Sequence, residues 1–342
     1  MIYALAVLAL AAVTTTASAE TYRIAWSHYT GWEPWEYARN SGILDKWAKK
    51  YGIEIKLDLI NDYIESINLY TGGTYHGCVM TNMDALTIPA VGGVDSTALI
   101  IGDFSNGNDG IVMKKGASVA DLKGRQVMLV ELSVSHYLLV RALTMENLKE
   151  RDLKLINTSD ADIAALFASE DDGAVVTWNP PLMQCRNVKG AKLVFDSSKI
   201  PGEIIDMMVV RTDTPDTLKK ALTGAWYETM AAMSAKSKTG KDAIEYMARF
   251  AGGTVAEFKA QLRTTAMFYN AAEAAGFATG DQIKKTMEYV RSFCFDHGLF
   301  GDADSMDFVG ISFPDGSVLG DKNNIKLRFD AGFMEQAAGN RL

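Results

Sequence analysis

Cysteine is scarce in this chain: there are three among 342 residues, Cys78, Cys185 and Cys294. An odd number at wide spacing makes neither a disulfide framework nor a thiolate metal site, so buried free thiols are expected. Histidine is nearly as scarce. His28, His76, His136 and His297 lie far apart, with no ligand spacing, so no metal and no cofactor is expected. An excess of positive charge is also lacking. The formal net charge is −8, which argues against nucleic acid and anionic membrane surfaces as partners. There is no apolar run of spanning length, since Ala4 to Val13 is too short. Internal repeats and low-complexity tracts are absent too.

The first residues, "MIYALAVLALAAVTTTASAE", are apolar or small throughout. The usual basic n-region is missing. Ala17-Ser18-Ala19 nevertheless fits the small-x-small pattern of a signal-peptidase site, so residues 1–19 read as a signal peptide cleaved after Ala19. The alternative is a buried first helix. A mature chain starting near Glu20 would be periplasmic. About 320 residues then remain, enough for two lobes with separate cores.

Strand and helix patterns alternate, which points to α/β architecture. In "GIEIKLDLI", Ile53, Ile55, Leu57 and Leu59 alternate with Glu54, Lys56 and Asp58, a half-buried strand. Asn61 or Asp62 can cap the helix that follows. "YHGCVMTNMDALTIPA" reads as strand, polar loop and helix. "GNDG" at 107–110 is a turn signal, and a second α/β unit begins after it. That unit, 110–203, reads as an insertion into a lobe formed by 20–105 plus 206–342. Two α/β lobes joined by two crossings make a clamshell with its ligand in the cleft.

"SVADLKGRQVMLVELSVSHYLLVRAL" and "DADIAALFASEDDGAVVTWNPPL" resemble the second lobe of periplasmic solute-binding proteins of ABC importers. The similarity is to the nitrate/sulfonate/taurine and thiamine-precursor group and extends over nearly all of the mature chain. "AWSHYTGWEPWEYARNSGILDKW", "YTGGTYHGCVMTNMDAL" and "VGISFPDGS…IKLRFDAGFM" resemble a narrower subgroup, encoded beside urea (guanidine) carboxylase. The resemblance implies the type II clamshell of two Rossmann-like lobes and a monomer. It also implies capture of a small solute and delivery to permease and ATPase subunits, without catalysis. Guanidinium or urea is the solute the subgroup implies. Taurine or another sulfonate, nitrate and a thiamine pyrimidine are the alternatives.

In doubly wound sheets, ligands sit outside the carboxyl ends of strands. The loops there carry His28, Tyr29, Trp32 and Glu33, then Asn82 and Asp84, then Asn108 and Asp109. Further along come Glu131, Ser133, Ser135 and His136, then Trp178 and Asn179, and finally Asp206. Carboxylates, amides and aromatics recur, and no lysine or arginine does. An anion wants cationic donors or free amides at a helix end. A planar cation wants carboxylates on its N–H edges and aromatic faces on its π-surface. The candidate ligand residues are therefore Tyr29, Trp32, Glu33, Asn82, Asp84, Asp109, Glu131, Ser135, Trp178 and Asp206. Packing competes for several positions. Trp26 lies in a strand, and Trp35 follows Pro34 at a helix start. Asp84 can serve a helix dipole, Ser133 or Ser135 a cap, and Asp206 a structural hydrogen bond.

An enzyme is the contrasting reading. His76 and Cys78 are two apart on a strand and can share a face, but no third group orients them. The clustered-cysteine motif of the pyrimidine-synthase branch is absent.

Overall fold

A computed structural model describes residues 19–342. The expected leader, apart from Ala19, lies outside the described residues. No helix among those described is long and apolar enough to cross a membrane.

Among the described residues, fourteen strands form two sheets. The first contains β1 (Glu20–Trp26), β2 (Ile53–Leu59), β3 (Gly77–Thr81) and β4 (Ser96–Ser105). The second contains β5 (Asp109–Met113), β6 (Gln126–Leu129), β7 (Lys154–Asn157), β8 (Ala174–Trp178) and β9 (Lys192–Asp196). The chain then returns to the first sheet with β10 (Ile205–Arg211), β11 (Thr265–Met267), β12 (Gly310–Ser312), β13 (Val318–Leu319) and β14 (Ile325–Phe329). The order in the first sheet is β13-β12-β14-β4-β10-β3-β1-β2, with β11 beside β4; in the second it is β7-β6-β8-β5-β9.

Burial explains the positions. β3 is buried at every residue, and β10 at all but its last, as central strands covered on both faces must be. β2 alternates buried Ile53, Ile55 and Leu57 with exposed Glu54 and Lys56, and it forms the sheet's edge. Asp62 caps the helix Tyr63–Thr71 by accepting from the Glu65 amide. Ser133 caps the helix Val134–Met145 by accepting from the Ser135 amide. One expectation is corrected. No polar loop follows β3, because a helix starts directly at Asn82 with Thr81 as its cap. Asn82 and Asp84 are thereby carried into the buried interior.

The two passages between the sheets are tied together. The hydroxyls of Ser105 and Ser197 lie 2.7 Å apart. Ser197 Oγ also accepts from the Gly107 amide at 2.8 Å, and Ser105 Oγ from the Asp109 amide at 3.0 Å. Gly107 holds φ at +108°, a region that glycine alone enters at little cost.

Candidate functional site

The first loop sorts its three tryptophans. Trp26 stacks on Phe250 with centroids 6.0 Å apart, and Trp35 packs on Trp226 at 5.0 Å, so both belong to the core. Trp32 sits between Tyr29, at 5.0 Å and 61°, and Tyr63, at 5.6 Å and 34°. Tyr63 in turn meets the edge of Trp178 at 5.4 Å and 74°. Trp178 ends β8 of the second sheet, so the aromatic wall crosses the cleft. The cleft is closed, because Trp178 Nε1 donates to the His28 carbonyl at 3.3 Å. Ser159 Oγ donates to Asp62 Oδ2 at 2.9 Å, and the Tyr63 amide to Asp160 Oδ1 at 3.3 Å.

Inside this wall lies a cavity lined by Tyr29, Trp32, Tyr63, Thr81, Asp109, Val134, Trp178, Ile204 and Asp206. Its volume is about 10 Å³, close to the room one ordered water needs. No lysine or arginine lines it. Four carboxyl groups gather at this end of the sheets. Asp103 on β4 and Asp206 on β10 are partners across the antiparallel pair, beside a β-bulge after Asp206, a device that re-aims side chains. Tyr29 OH donates to Asp103 Oδ1 at 2.9 Å. Tyr63 OH and Thr81 Oγ1 donate to Asp84 Oδ2 at 2.6 and 2.8 Å. Asp109 comes from the other side of the cleft, at the start of β5.

Burial governs the protonation of all four. It pushes Asp84 up to about 6, against the opposing hydrogen bonds of Tyr63 and Thr81. It pushes Asp109 up to about 7, helped by the charge of Asp84 and opposed by the Ser105 hydroxyl. Asp103 rises to about 7 through burial and the Asp109 charge, opposed by hydrogen bonds to Tyr29 and Asp206. Asp206 rises well above the carboxylate range through burial and then its acidic neighbours. Asp84 Oδ1, Asp103 Oδ2, Asp206 Oδ2, Ser135 Oγ and Trp32 Nε1 are buried without a hydrogen-bond partner. Such atoms cost roughly 1–3 kcal/mol each when left unpaired, and more when charged.

Tyr29, Trp32, Asp109, Trp178 and Asp206 from the sequence reading thus line one cavity, and Asp84 joins through Tyr63 and Thr81. Ser135 is fully buried at the helix start next to the lining residue Val134. Three candidates lie elsewhere. Glu33 is buried but pairs with His28 Nδ1 at 2.7 Å. Asn82 fastens the second passage, accepting from the Ile205 amide at 3.0 Å and donating to the Glu203 carbonyl at 3.2 Å. Glu131 lies on an open groove beside Asp62 and Glu65. Its backbone turns outward there, since the next residue, Leu132, has φ +61° and is exposed. Asp103, Tyr63, Thr81 and Gly31 were missed. A Cβ at Gly31 would meet Asp103 Oδ2 at 2.2 Å, so only glycine lets the loop come this near.

His76 and Cys78 do not form a nucleophilic pair. His76 Nδ1 accepts from the Arg23 amide at 3.0 Å, and Cys78 Sγ lies against Ser66 Oγ at 3.6 Å. Burial pushes the Cys78 thiol up to about 12.

No family model matches the sequence, and no curated protein sequence matches it. Solved structures do match. The alkanesulfonate-binding protein of Xanthomonas axonopodis pv. citri, bound to MOPS, aligns with TM-score 0.67 and 15% identity over 84% of this chain and 96% of its own. The periplasmic aliphatic sulphonate binding protein of Escherichia coli aligns with TM-score 0.66 and 18% identity, over 83% and 95%. The periplasmic nitrate-binding protein of Synechocystis PCC 6803 gives 0.58 and 12%, over 93% and 98%. The chain therefore has the periplasmic binding protein fold, a mixed α/β clamshell.

Proposed function

We propose that this protein is the substrate-binding component of an ABC importer. It captures guanidinium in the cleft, closes over it, and hands it to permease and ATPase subunits. It acts in the periplasm as a monomer, with lobes formed by 20–105 plus 206–342 and by 110–203. The resemblance to the carboxylase-linked subgroup supports this, but one observation carries it. Two carboxyl groups, Asp109 and Asp206, line the cavity beside four aromatic rings, two more, Asp84 and Asp103, stand behind them on Tyr63, Thr81 and Tyr29, and no lysine or arginine lines it. A guanidinium ion supplies N–H donors, a flat π-surface and the missing positive charge together. Its charge is permanent, so it replaces the protons that burial otherwise forces onto the carboxyls.

A sulfonate or nitrate meets the opposite field here. Its usual donor would be a helix N-terminus. The one at Val134 faces the Asp84 carboxyl and helps hold its charge. In this closed state the cavity has room for about one water, so it must widen to seat even a solute of four heavy atoms. Urea is the second reading, since it is planar like guanidinium and offers four N–H donors, but it puts a carbonyl acceptor where guanidinium has a third amino group and gains nothing from ionised carboxyls.

A thermal-shift and calorimetric panel tests this: guanidinium, methylguanidine, urea, taurine, nitrate and a thiamine pyrimidine. Guanidinium should raise the melting temperature most, through preferential binding to the folded, closed state. Tighter binding of taurine or nitrate overturns the proposal, and tighter binding of urea moves it to the second reading. Product formation on long incubation would mark an enzyme instead.

A further inference from the structure

Away from the cavity, two of the four histidines converge on one carboxylate. His136 Nε2 lies 2.6 Å from Glu150 Oε1, and His297 Nε2 lies 2.7 Å from Glu150 Oε2. The three ligand atoms fall within 4.8 Å of one another. His136 and Glu150 belong to the unit of the second sheet. His297 ends the helix Asp281–Asp296, which contacts the first unit through Asn82 on Met287. The cluster therefore spans the two halves that the cleft divides.

We propose that His136, Glu150 and His297 form a binding site for a divalent metal ion of the zinc class, which latches the closed state. His297 Nδ1 is 2.8 Å from the Phe293 carbonyl and donates to it. Nε2 is therefore the ring atom left to meet the carboxylate, and the contact is bridged by a cation, either the proton of an imidazolium or a metal ion set between the two groups. Two imidazoles and one carboxylate are a zinc ligand set, with the fourth position left to water. The carbonyl behind His297 is the partner that metal-bound imidazoles use to fix their tautomer.

Phe293 stacks on the His297 ring at 4.2 Å and meets His136 edge-on at 6.0 Å, so it shields the site. His136 is buried, and His297 and Glu150 are partly so. In a tetrahedral site with bonds of about 2.0 Å, ligand atoms stand roughly 3.3 Å apart, so each ring nitrogen must draw back from its carboxylate oxygen by about 0.6 Å. His136 Nδ1 now accepts from the Leu132 amide at 3.1 Å. Metal capture moves the His136 proton to Nδ1 and releases that amide. Leu132 is 46% exposed, so water can take the amide over. Against the opposing effect of burial, hydrogen bonds from His297 and His136 hold the half-buried Glu150 carboxyl below its usual range. Nearby on the same helix, Tyr137 and Arg141 are held by Glu203 at 2.6 and 2.8 Å.

The test uses the full mature chain, stripped with a chelator and held free of solute, so it can fail independently of the guanidinium reading. Calorimetry with zinc chloride at pH 7.5 should show one ion per chain. Cobalt(II) should give the visible bands of a four-coordinate site. His297→Gln and Glu150→Gln should each weaken zinc at least about tenfold, while Asp213→Asn, at an exposed carboxylate outside both sites, should leave it unchanged. Small-angle scattering should show a smaller radius of gyration with zinc than without. Circular dichroism melts establish that both glutamine variants are folded. Failure of the wild type to take up one zinc, equal uptake by both glutamine variants, or loss of uptake in Asp213→Asn overturns the site. An unchanged radius of gyration overturns the latch.

Discussion

Asp103 and Asp206 face each other on neighbouring antiparallel strands, and Tyr29 OH donates to the Asp103 carboxyl at 2.9 Å. Two buried carboxyls at such proximity cannot both ionise cheaply, so the pair holds a proton near neutrality. That makes the site responsive to pH as well as to solute.

Guanidinium affinity should fall as pH falls. The cation binds ionised carboxyls, whose pKa values are raised to about 6 for Asp84 and about 7 for Asp103 and Asp109. Affinity is then full above about pH 7 and is lost below it. Calorimetry at pH 7 in two buffers of different ionisation enthalpy should reveal proton release on binding. Identical heats in both buffers would contradict it.

Stability without solute should show the reverse trend. A carboxyl whose folded pKa is raised costs stability as pH rises from its unfolded value near 4 through its folded value. The melting temperature should therefore drop between pH 5 and pH 8, and guanidinium should restore more of it at pH 8 than at pH 5. Melts across that range, with and without the ion, check both halves.

Asp103→Asn and Asp206→Asn should keep the fold, because an amide closely mimics a protonated carboxyl. Each should weaken guanidinium by about tenfold or more, since charge-assisted hydrogen bonds contribute roughly 1.5–3 kcal/mol. Urea should suffer much less. Equal losses for the two solutes would remove the electrostatic argument.

Trp32→Ala carries two costs. Trp32 is 4% exposed and packed between two tyrosines, so truncation should destabilise the fold by about 3 kcal/mol or more. Binding should fall as well, by about tenfold, from loss of the aromatic face. Calorimetry well below the lowered melting temperature separates the two effects.

Gly31→Ala should disturb the site without touching solute. The added methyl would lie 2.2 Å from Asp103 Oδ2 and 2.6 Å from Tyr29 Cε1. Loss of the 2.9 Å Tyr29–Asp103 bond and several-fold weaker binding should follow; a crystal structure of the variant would show whether the loop has moved.

Local pattern alone determined much here. Alternation placed the half-buried strand β2, Asn61 or Asp62 and Ser133 or Ser135 announced helix starts, and the strand ends and crossings pointed to Tyr29, Trp32, Asp109, Trp178 and Asp206, the last three of which the structure places within β5, β8 and β10. These features are legible because strand period, capping and the site of α/β clefts depend on near neighbours in the chain. Asp103 carries a signal of its own, a carboxylate in the apolar run "LIIGDF", and Glu131 carries the same one after "VMLV". Only the tertiary structure separates them. β4 continues past Asp103 in the sheet, whereas the chain leaves β6 and turns outward at Leu132. Likewise, nothing in the spacing of 136, 150 and 297 joins those residues. Their meeting depends on how a helix near the C-terminus packs against the inserted unit, a long-range contact that no local periodicity encodes.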